Sequence, residues 1–278
     1  MPMLGRAAAP SSQKWKICAF EKFLQDLSFD ELADVIAELG FDGIEATVRR
    51  KGHIEPADAE QQLPKMVEAL AARDVEVTIM ATDVTTADDP LTESVLKTAA
   101  DLGITDYRMG FYRYDLDQSI AQQLDALRPT VEKLARLNET LGIRGLYQNH
   151  SAPKYLGATI WDLYLLIRDI PVEQMASAFD IRHATIEAGL SWPIYWDVIR
   201  PHVGAVYVKD FVWDGPKARH AELGTGRVDA KFFDMVKQSG FDGPISLRVE
   251  YPPGGSTEEN IAALRRDLKV LRGWLDRA

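Results

Sequence analysis

The stretch Gly145–His150, GLYQNH, decides the fold. Leu146 and Tyr147 have strand propensity, and the run then closes on three polar side chains, Gln148, Asn149 and His150. Side chains alternate faces along a strand, so Gln148 and His150 share one face and Asn149 takes the other. An apolar strand that turns polar only at its C-terminal end is the rim of an active site in a parallel α/β protein. Taken alone, the same six residues also fit the start of a loop whose polar groups are satisfied locally.

Working outward removes much of that ambiguity. Trp15–Phe20, Phe41–Val48, Val75–Ala81, Tyr107–Tyr112, Ala176–Phe179, Ala205–Val208 and Pro244–Glu250 read as seven further strands. Helical segments separate them. Ser28 with Glu31 and the stop Gly40 bracket one helix, and Ser256 caps the last, which reaches about Leu275. Asp58–Arg73 reads as a helix interrupted by Pro64, Leu116–Leu141 as a long helix with a kink or break at Pro129, and Pro193–Arg200 as a short one. Strands alternating with helices imply a parallel sheet. Eight such units in 278 residues imply an α/β fold of one closed (β/α)8 barrel, a TIM barrel, over residues 15–278. Residues 1–14 read as a flexible N-terminal arm. An open doubly wound sheet would carry a Gly-rich phosphate loop after the first strand, and AFEKFLQ is not one.

Composition narrows the function. The net charge is −10 and the only basic run is Arg49-Arg50-Lys51, which argues against nucleic acid as a partner. No run of about 18 apolar residues exists, so no membrane span is expected, and a cytoplasmic location is the default. One cysteine, Cys18, excludes an internal disulfide and reads as a buried inert thiol.

In a barrel the C-terminal strand ends meet around one pocket. They bring Phe20 and Lys22, Glu45 and Thr47, Arg108 and Tyr112, Gln148 and His150, Asp180, Tyr207 and Lys209, and Arg248 and Glu250. Any one of these is most often just a solvated or paired rim residue. The opposite faces, Ile44, Ala46, Val206, Val208, Leu247 and Val249, are apolar, as a helix-facing side should be. Carboxylates, an amide, imidazoles and aromatic faces suit a polyol or carbonyl substrate, with Tyr112, Trp192 and Trp213 available to stack on a sugar ring. No basic cluster in the sequence marks a phosphate site.

FDGIEATV, QNH, FDIRHA, VYVKD, LGTGRVD (Leu223–Asp229) and ISLRVEY together give the chain a resemblance. From about Ile17 to Leu275 it resembles the xylose-isomerase-like barrels of the sugar isomerase/epimerase superfamily, which includes tagatose 3-epimerase-like enzymes, hydroxypyruvate isomerases, inosose dehydratases and, more distantly, endonuclease IV. The resemblance implies a divalent metal held by Glu, Asp, His and Glu on strands five to eight, the two glutamates doubling as acid and base. Those positions here carry Gln148, Asp180, Tyr207 and Arg248. Only Asp180 matches. His183 matches the family's substrate-binding histidine, and Glu45 a glutamate often found on strand two. Neutral Tyr is a poor ligand and Arg repels a cation. The expectation is therefore no tightly bound cofactor, with Arg248 supplying a fixed positive charge in the metal's place and Asp180 paired to Arg248 or His183. A Mn²⁺ or Mg²⁺ ion on Asp180, Gln148, Glu250 and water is the alternative.

The expected activity is isomerisation or epimerisation of a sugar or keto-sugar, or β-elimination from one, by proton abstraction next to a carbonyl. Glu250, His150 and His183 are the candidate bases and acids, and Lys209 and Arg248 the stabilisers of the oxyanion. Lys209 could alternatively form a Schiff base, although an ion pair with a rim carboxylate is its commoner state. Glu45, Arg108, Tyr112, Gln148, Tyr207 and Trp213 are the candidate substrate contacts. The second reading is a non-catalytic sugar-binding homologue that has lost the metal site. A nuclease would need a dense set of His, Asp and Glu ligands that five histidines and the acidic charge do not supply. A homodimer would follow family habit alone.

Overall fold

Eight short strands close on themselves. The computed structural model describes residues 15–252 and 254–278, and the arm expected at 1–14 lies outside them. The strands are β1 (Ile17–Phe20), β2 (Gly43–Thr47), β3 (Glu76–Ala81), β4 (Asp106–Arg108), β5 (Arg144–Gln148), β6 (Met175–Asp180), β7 (Val203–Val208) and β8 (Ile245–Leu247). They pair in parallel in sequence order, and β1 joins β8 as well as β2, with Cys18 beside both Gly43 and Ser246.

Helices α1 (Phe29–Leu39), α2 (Ala59–Ala71), α3 (Thr92–Asp101), α4 (Ile120–Leu141), α5 (Trp161–Ile167), α6 (Ile181–Ala188), α7 (Trp192–Ile199), α8 (Phe232–Gln238) and α9 (Thr257–Leu275) surround the barrel. Capping boxes start α1 and α9: Ser28 and Ser256 each accept from the backbone three residues on, and Glu31 and Glu259 reach back. Gly40 ends α1 in the left-handed region at φ 81°. None of the described helices is long and apolar enough to cross a membrane.

The strand faces divide as alternation requires. Ile44, Ala46, Met80, Tyr107, Tyr147, Phe179, Val206 and Leu247 point to the helices and join one large core. Cys18, Ile79, Leu146, Ala176, Ala178, Ala205 and Tyr207 form a second, small core inside the barrel. Three alanines there leave room for the larger polar side chains above. Burial, then the nearby Glu45 carboxylate, pushes the Cys18 thiol far up, so it is inert as expected.

Several elements differ from the sequence reading. Helix α2 runs unbroken through Pro64, and α4 through Pro129. Proline removes the bond to the carbonyl four residues back. Those residues are Glu60 and Asp125, both exposed, so water can serve the freed carbonyls. Strand β4 stops at Arg108, and the chain carrying Tyr112 leaves the barrel there. Strand β8 stops at Leu247, which places Arg248 and Glu250 just past its end. Helix α6 follows β6 with no loop, because Asp180 ends the strand and also caps the helix, accepting from His183 N at 3.1 Å. An antiparallel hairpin, Asp210–Asp214 with Lys217–Ala221, rises over the mouth.

Asp210 anchors that hairpin and the LGTGRVD loop together. Its carboxylate accepts from the backbone N–H of Phe211, Gly224, Gly226, Arg227 and Val228 at 2.8–3.0 Å. A Cβ on Gly226 would lie 2.2 Å from Asp210 Oδ1 and 2.3 Å from Phe211 O, so only glycine fits.

Candidate active site

The C-terminal mouth of the barrel holds two carboxylate–cation networks, one above the other. The lower is centred on Glu45, which is fully buried. Its oxygens accept from Tyr207 Oη at 2.9 Å, from Ser246 Oγ at 2.7 Å and from Arg248 Nη2, while Arg108 Nε stands 3.7 Å away. The Arg248 guanidinium lies between the rings of Phe20 and Tyr207, at 4.1 and 3.8 Å from their centroids. Burial, then Glu45, drives the Tyr207 hydroxyl well above its ordinary pKa, so it stays a neutral donor.

The upper network is centred on Lys209, which follows β7 and is 4% exposed. Its Nζ is 3.3 Å from Asp180 Oδ2 and 3.1 Å from Glu250 Oε1. Asp180 Oδ2 also accepts from Gln148 Nε2 at 2.7 Å, and His183 Nε2 is 3.6 Å from it. Glu250 is the more open carboxylate, and His220 Nε2, on the hairpin, lies 3.6 Å from its Oε2. Burial raises the Glu250 carboxyl, but the charges of Lys209 and then Arg248 outweigh it and hold the group well below the usual carboxylate range. It is an anion at neutral pH.

Imidazoles roof this network. His150 packs against His183 with centroids 4.0 Å apart and planes tilted by 33°, and Ser151 Oγ is 2.7 Å from His183 Nδ1. Burial, then the Lys209 charge, lowers His150 to about 4 and takes His183 well below its ordinary value. His220 is likewise lowered to about 4, by burial and then Arg182. All three rings are neutral near pH 7.

The strand-end alternation read from GLYQNH holds. Gln148 and His150 face the mouth. Asn149, on the other face, clasps the β6 end, donating to Asp180 O at 3.1 Å and accepting from Asp180 N at 2.7 Å. Two cavities open here. A narrow one of about 170 Å³ is lined by Lys22, Arg49, Arg108, Gln148 and Arg248, and a wider one of about 590 Å³ by His183, Trp213 and His220. His150, Lys209 and Glu250 line both.

All five candidate catalytic residues, Glu250, His150, His183, Lys209 and Arg248, therefore reach one cleft. Of the candidate substrate contacts, Arg108, Gln148 and Trp213 line it. Glu45 and Tyr207 do not, because they satisfy each other below the floor. Tyr112 turns away, stacking on Tyr147 and donating to Thr85 O. Arg248 also departs from expectation. It pairs with Glu45 rather than Asp180, and the cation beside Asp180 is Lys209. Sequence reasoning missed His220, whose hairpin is announced by Asp214-Gly215 between alternating residues.

These residues do not fit the metal that the resemblance implies. Among the described residues no group of three or more His, Cys, Asp or Glu converges as a cage. Of the four corresponding positions, Tyr207 and Arg248 are engaged by Glu45, and Gln148 turns its amide N–H to Asp180. The remaining anion, Asp180, already holds Lys209. A dication placed there would face an ammonium at contact distance.

No curated protein matches the chain by sequence. Solved structures share its fold at low identity. D-psicose 3-epimerase with D-tagatose from Clostridium cellulolyticum H10 matches at 13% identity and TM-score 0.71, over 94% of this chain and 99% of that one. A putative xylose isomerase from Rhodospirillum rubrum ATCC 11170 matches at 15% and 0.76, over 94% and 99%. The 3-keto-D-glucoside 4-epimerase from E. coli matches at 16% and 0.72, over 94% and 100%. Residues 33–273 match the sequence family that shares this architecture, and the chain belongs to the xylose isomerase-like TIM barrel family.

Proposed function

We propose that the protein is an isomerase of a sugar or keto-sugar, working by proton abstraction next to a carbonyl. The observation that carries this is the Lys209 ammonium seated between Asp180 and Glu250 at the junction of the two cavities. Structural relatives that are sugar epimerases support the substrate class.

Glu250 is the base. It is anionic, faces both cavities, and is the carboxylate of the upper network not tied to backbone groups. Its low basicity is the obstacle, since a base works best with a pKa near the working pH. Lys209 removes that obstacle as the reaction proceeds. When the substrate carbonyl oxygen takes the Lys209 hydrogen bond, that bond no longer steadies the Glu250 anion, and the negative charge growing on the oxygen offsets the Lys209 field, so Glu250 gains basicity. The proton moves from carbon to Glu250, and the negative charge develops on the oxygen that Lys209 already contacts. Asp180 and Gln148 hold Lys209 in place from below. The neutral imidazoles of His150 and His183 can donate or accept hydrogen bonds to hydroxyls without adding charge.

One base returns the proton to the neighbouring carbon on the face from which it came, while the proton of the adjacent hydroxyl passes to the former carbonyl oxygen. That geometry favours exchange of carbonyl and hydroxyl between neighbouring carbons over inversion, which wants a second base opposite. β-Elimination would begin with the same abstraction. The test is solvent deuterium incorporation next to the carbonyl of keto-sugars, followed by NMR. Exchange in the wild type that is lost in Lys209→Met and Glu250→Gln supports the reading, and exchange undiminished in both sinks it. The same depressed basicity favours a second reading, a protein that binds such a sugar without turning it over. Saturable binding with no exchange would establish that one.

A further inference from the structure

We propose that the narrow cavity is an anion seat, and that the substrate carries a carboxylate or phosphate group clamped there by Arg108, Arg49 and Lys22. This deepens the reaction proposed above and rests on it only for the sugar portion of the ligand.

The charge balance is the first observation. Lys22, Arg49, Arg108, Lys209 and Arg248 line the narrow cavity, with Glu250 as the one carboxylate among its lining residues. Counting Glu45 and Asp180 just beneath, five cations face three anions, in a chain whose net charge is −10. These cations come from the ends of β1, β2, β4, β7 and β8, which is why no basic run appears in the sequence.

Pairing is the second. Lys209 is committed to Asp180 and Glu250, and Arg248 to Glu45. Lys22 and Arg49 form no ion pair among the described residues, their contacts being the faces of Phe23 and Phe20. Arg108 is 2% exposed; its Nη1 donates to Met109 O at 2.9 Å, Glu45 is shared with Arg248, and the Arg108 Nε–H, 3.7 Å from Glu45 Oε1, is buried without a hydrogen-bond acceptor. A buried guanidinium with an unused donor and a shared counter-charge is costly unless an anion completes it. Burial, then the Arg248 charge, lowers the Arg108 pKa to about 10 against the pull of Glu45, and the group stays a cation at neutral pH. The Arg108 guanidinium lies 5.1 Å from the Phe111 ring centroid and that of Arg49 5.8 Å from Phe20, cation–ring contacts that spend no N–H donor.

Size is the third. A volume of about 170 Å³ holds an anionic head and a carbon or two, not a whole sugar. The rest of the ligand would occupy the wider half, about 590 Å³, under Trp213 and His220. Glu250 and Lys209 stand where the halves meet, so the reacting carbon falls close to the anionic group.

The test is calorimetric titration of the full chain with inorganic phosphate, with malonate and with neutral D-fructose. Arg49→Gln and Lys22→Gln alter partly or largely exposed side chains and should fold normally, as a thermal melt will check. Arg108→Lys adds a deeper probe. Saturable one-site binding of phosphate or malonate is expected, weakened about tenfold or more in Arg49→Gln and less in Lys22→Gln. The tighter anion tells phosphate from carboxylate as the natural group. No saturable binding of either anion, or binding unchanged in both exposed variants, overturns the seat. Titration needs no turnover. A protein that binds these anions but exchanges no deuterium keeps the seat and loses the reaction, and one that exchanges deuterium into neutral keto-sugars while binding neither anion does the reverse.

Discussion

The two networks at the barrel mouth use the same chemistry to opposite ends. In the lower one, Glu45 is fully buried and paired with Arg248, and hydroxyls from Tyr207 and Ser246 take further lone pairs on the carboxylate. Little of Glu45 is left for a ligand, and the network serves as the floor of the narrow cavity, to which Arg248 presents its charge. In the upper one, Lys209 bridges a buried carboxylate and a more open one, and that second carboxylate faces both cavities. The contrast teaches that a charged residue's type and strand position do not set its role. What sets it is whether its hydrogen-bonding capacity is spent inside the protein.

Substitutions can break or sharpen this comparison. Glu250→Gln should have the largest effect on activity, lowering turnover by about 10²–10⁴-fold, with a smaller loss of stability than a floor variant because Lys209 keeps Asp180 as its counter-charge. Glu45→Gln should do the opposite. It strands Arg248 without its counter-charge, and losing one partner of a buried pair costs about 3–5 kcal/mol in a denaturant melt. If both variants lose activity but neither loses stability, the lower network is not a floor.

Apolar truncations come next. Ile79→Ala inside the barrel and Val206→Ala in the outer layer should each cost about 2–4 kcal/mol, since both side chains are fully buried. His150→Ala, in contrast, should barely move the melt. Comparable destabilisation in all three would make His150 structural.

A smaller effect should appear with pH. His150 and His220 sit at about 4 in the folded protein, against an ordinary 6.5. As pH falls from about 6.5, the unfolded chain takes up protons on these rings that the folded protein refuses. Stability should therefore decline between about pH 6.5 and 4 and level off, for these two groups, below that. His150→Phe together with His220→Phe should make that slope shallower, His183 and His202 supplying the remainder, and an unchanged slope would contradict the assignment.

Much of this was legible in the chain. Period-two alternation put Gln148 and His150 on the site face and Asn149 on the structural one, and Ser–Glu pairs marked the starts of α1 and α9. The eight-unit rhythm closed the barrel. The partner of each cation was not legible. Arg248 chose Glu45, 203 positions away, because the inward faces of β2 and β8 meet across β1. Only closure of the sheet sets that distance. Lys209 reached Asp180 because β6 and β7 pair with Tyr207 beside Asp180, leaving Lys209 one inward step above. Tyr112 was misplaced because β4 stops after three residues, and aromatic propensity alone extended it. His220 came from a hairpin outside the strand–helix rhythm.

The central claim is that Lys209, not a metal, supplies the positive charge between Asp180 and Glu250. Its most direct test is elemental analysis of protein purified without chelator, paired with deuterium exchange into the substrate before and after EDTA. The account predicts substoichiometric divalent metal and exchange unaltered by EDTA. A stoichiometric ion whose removal abolishes exchange would contradict it.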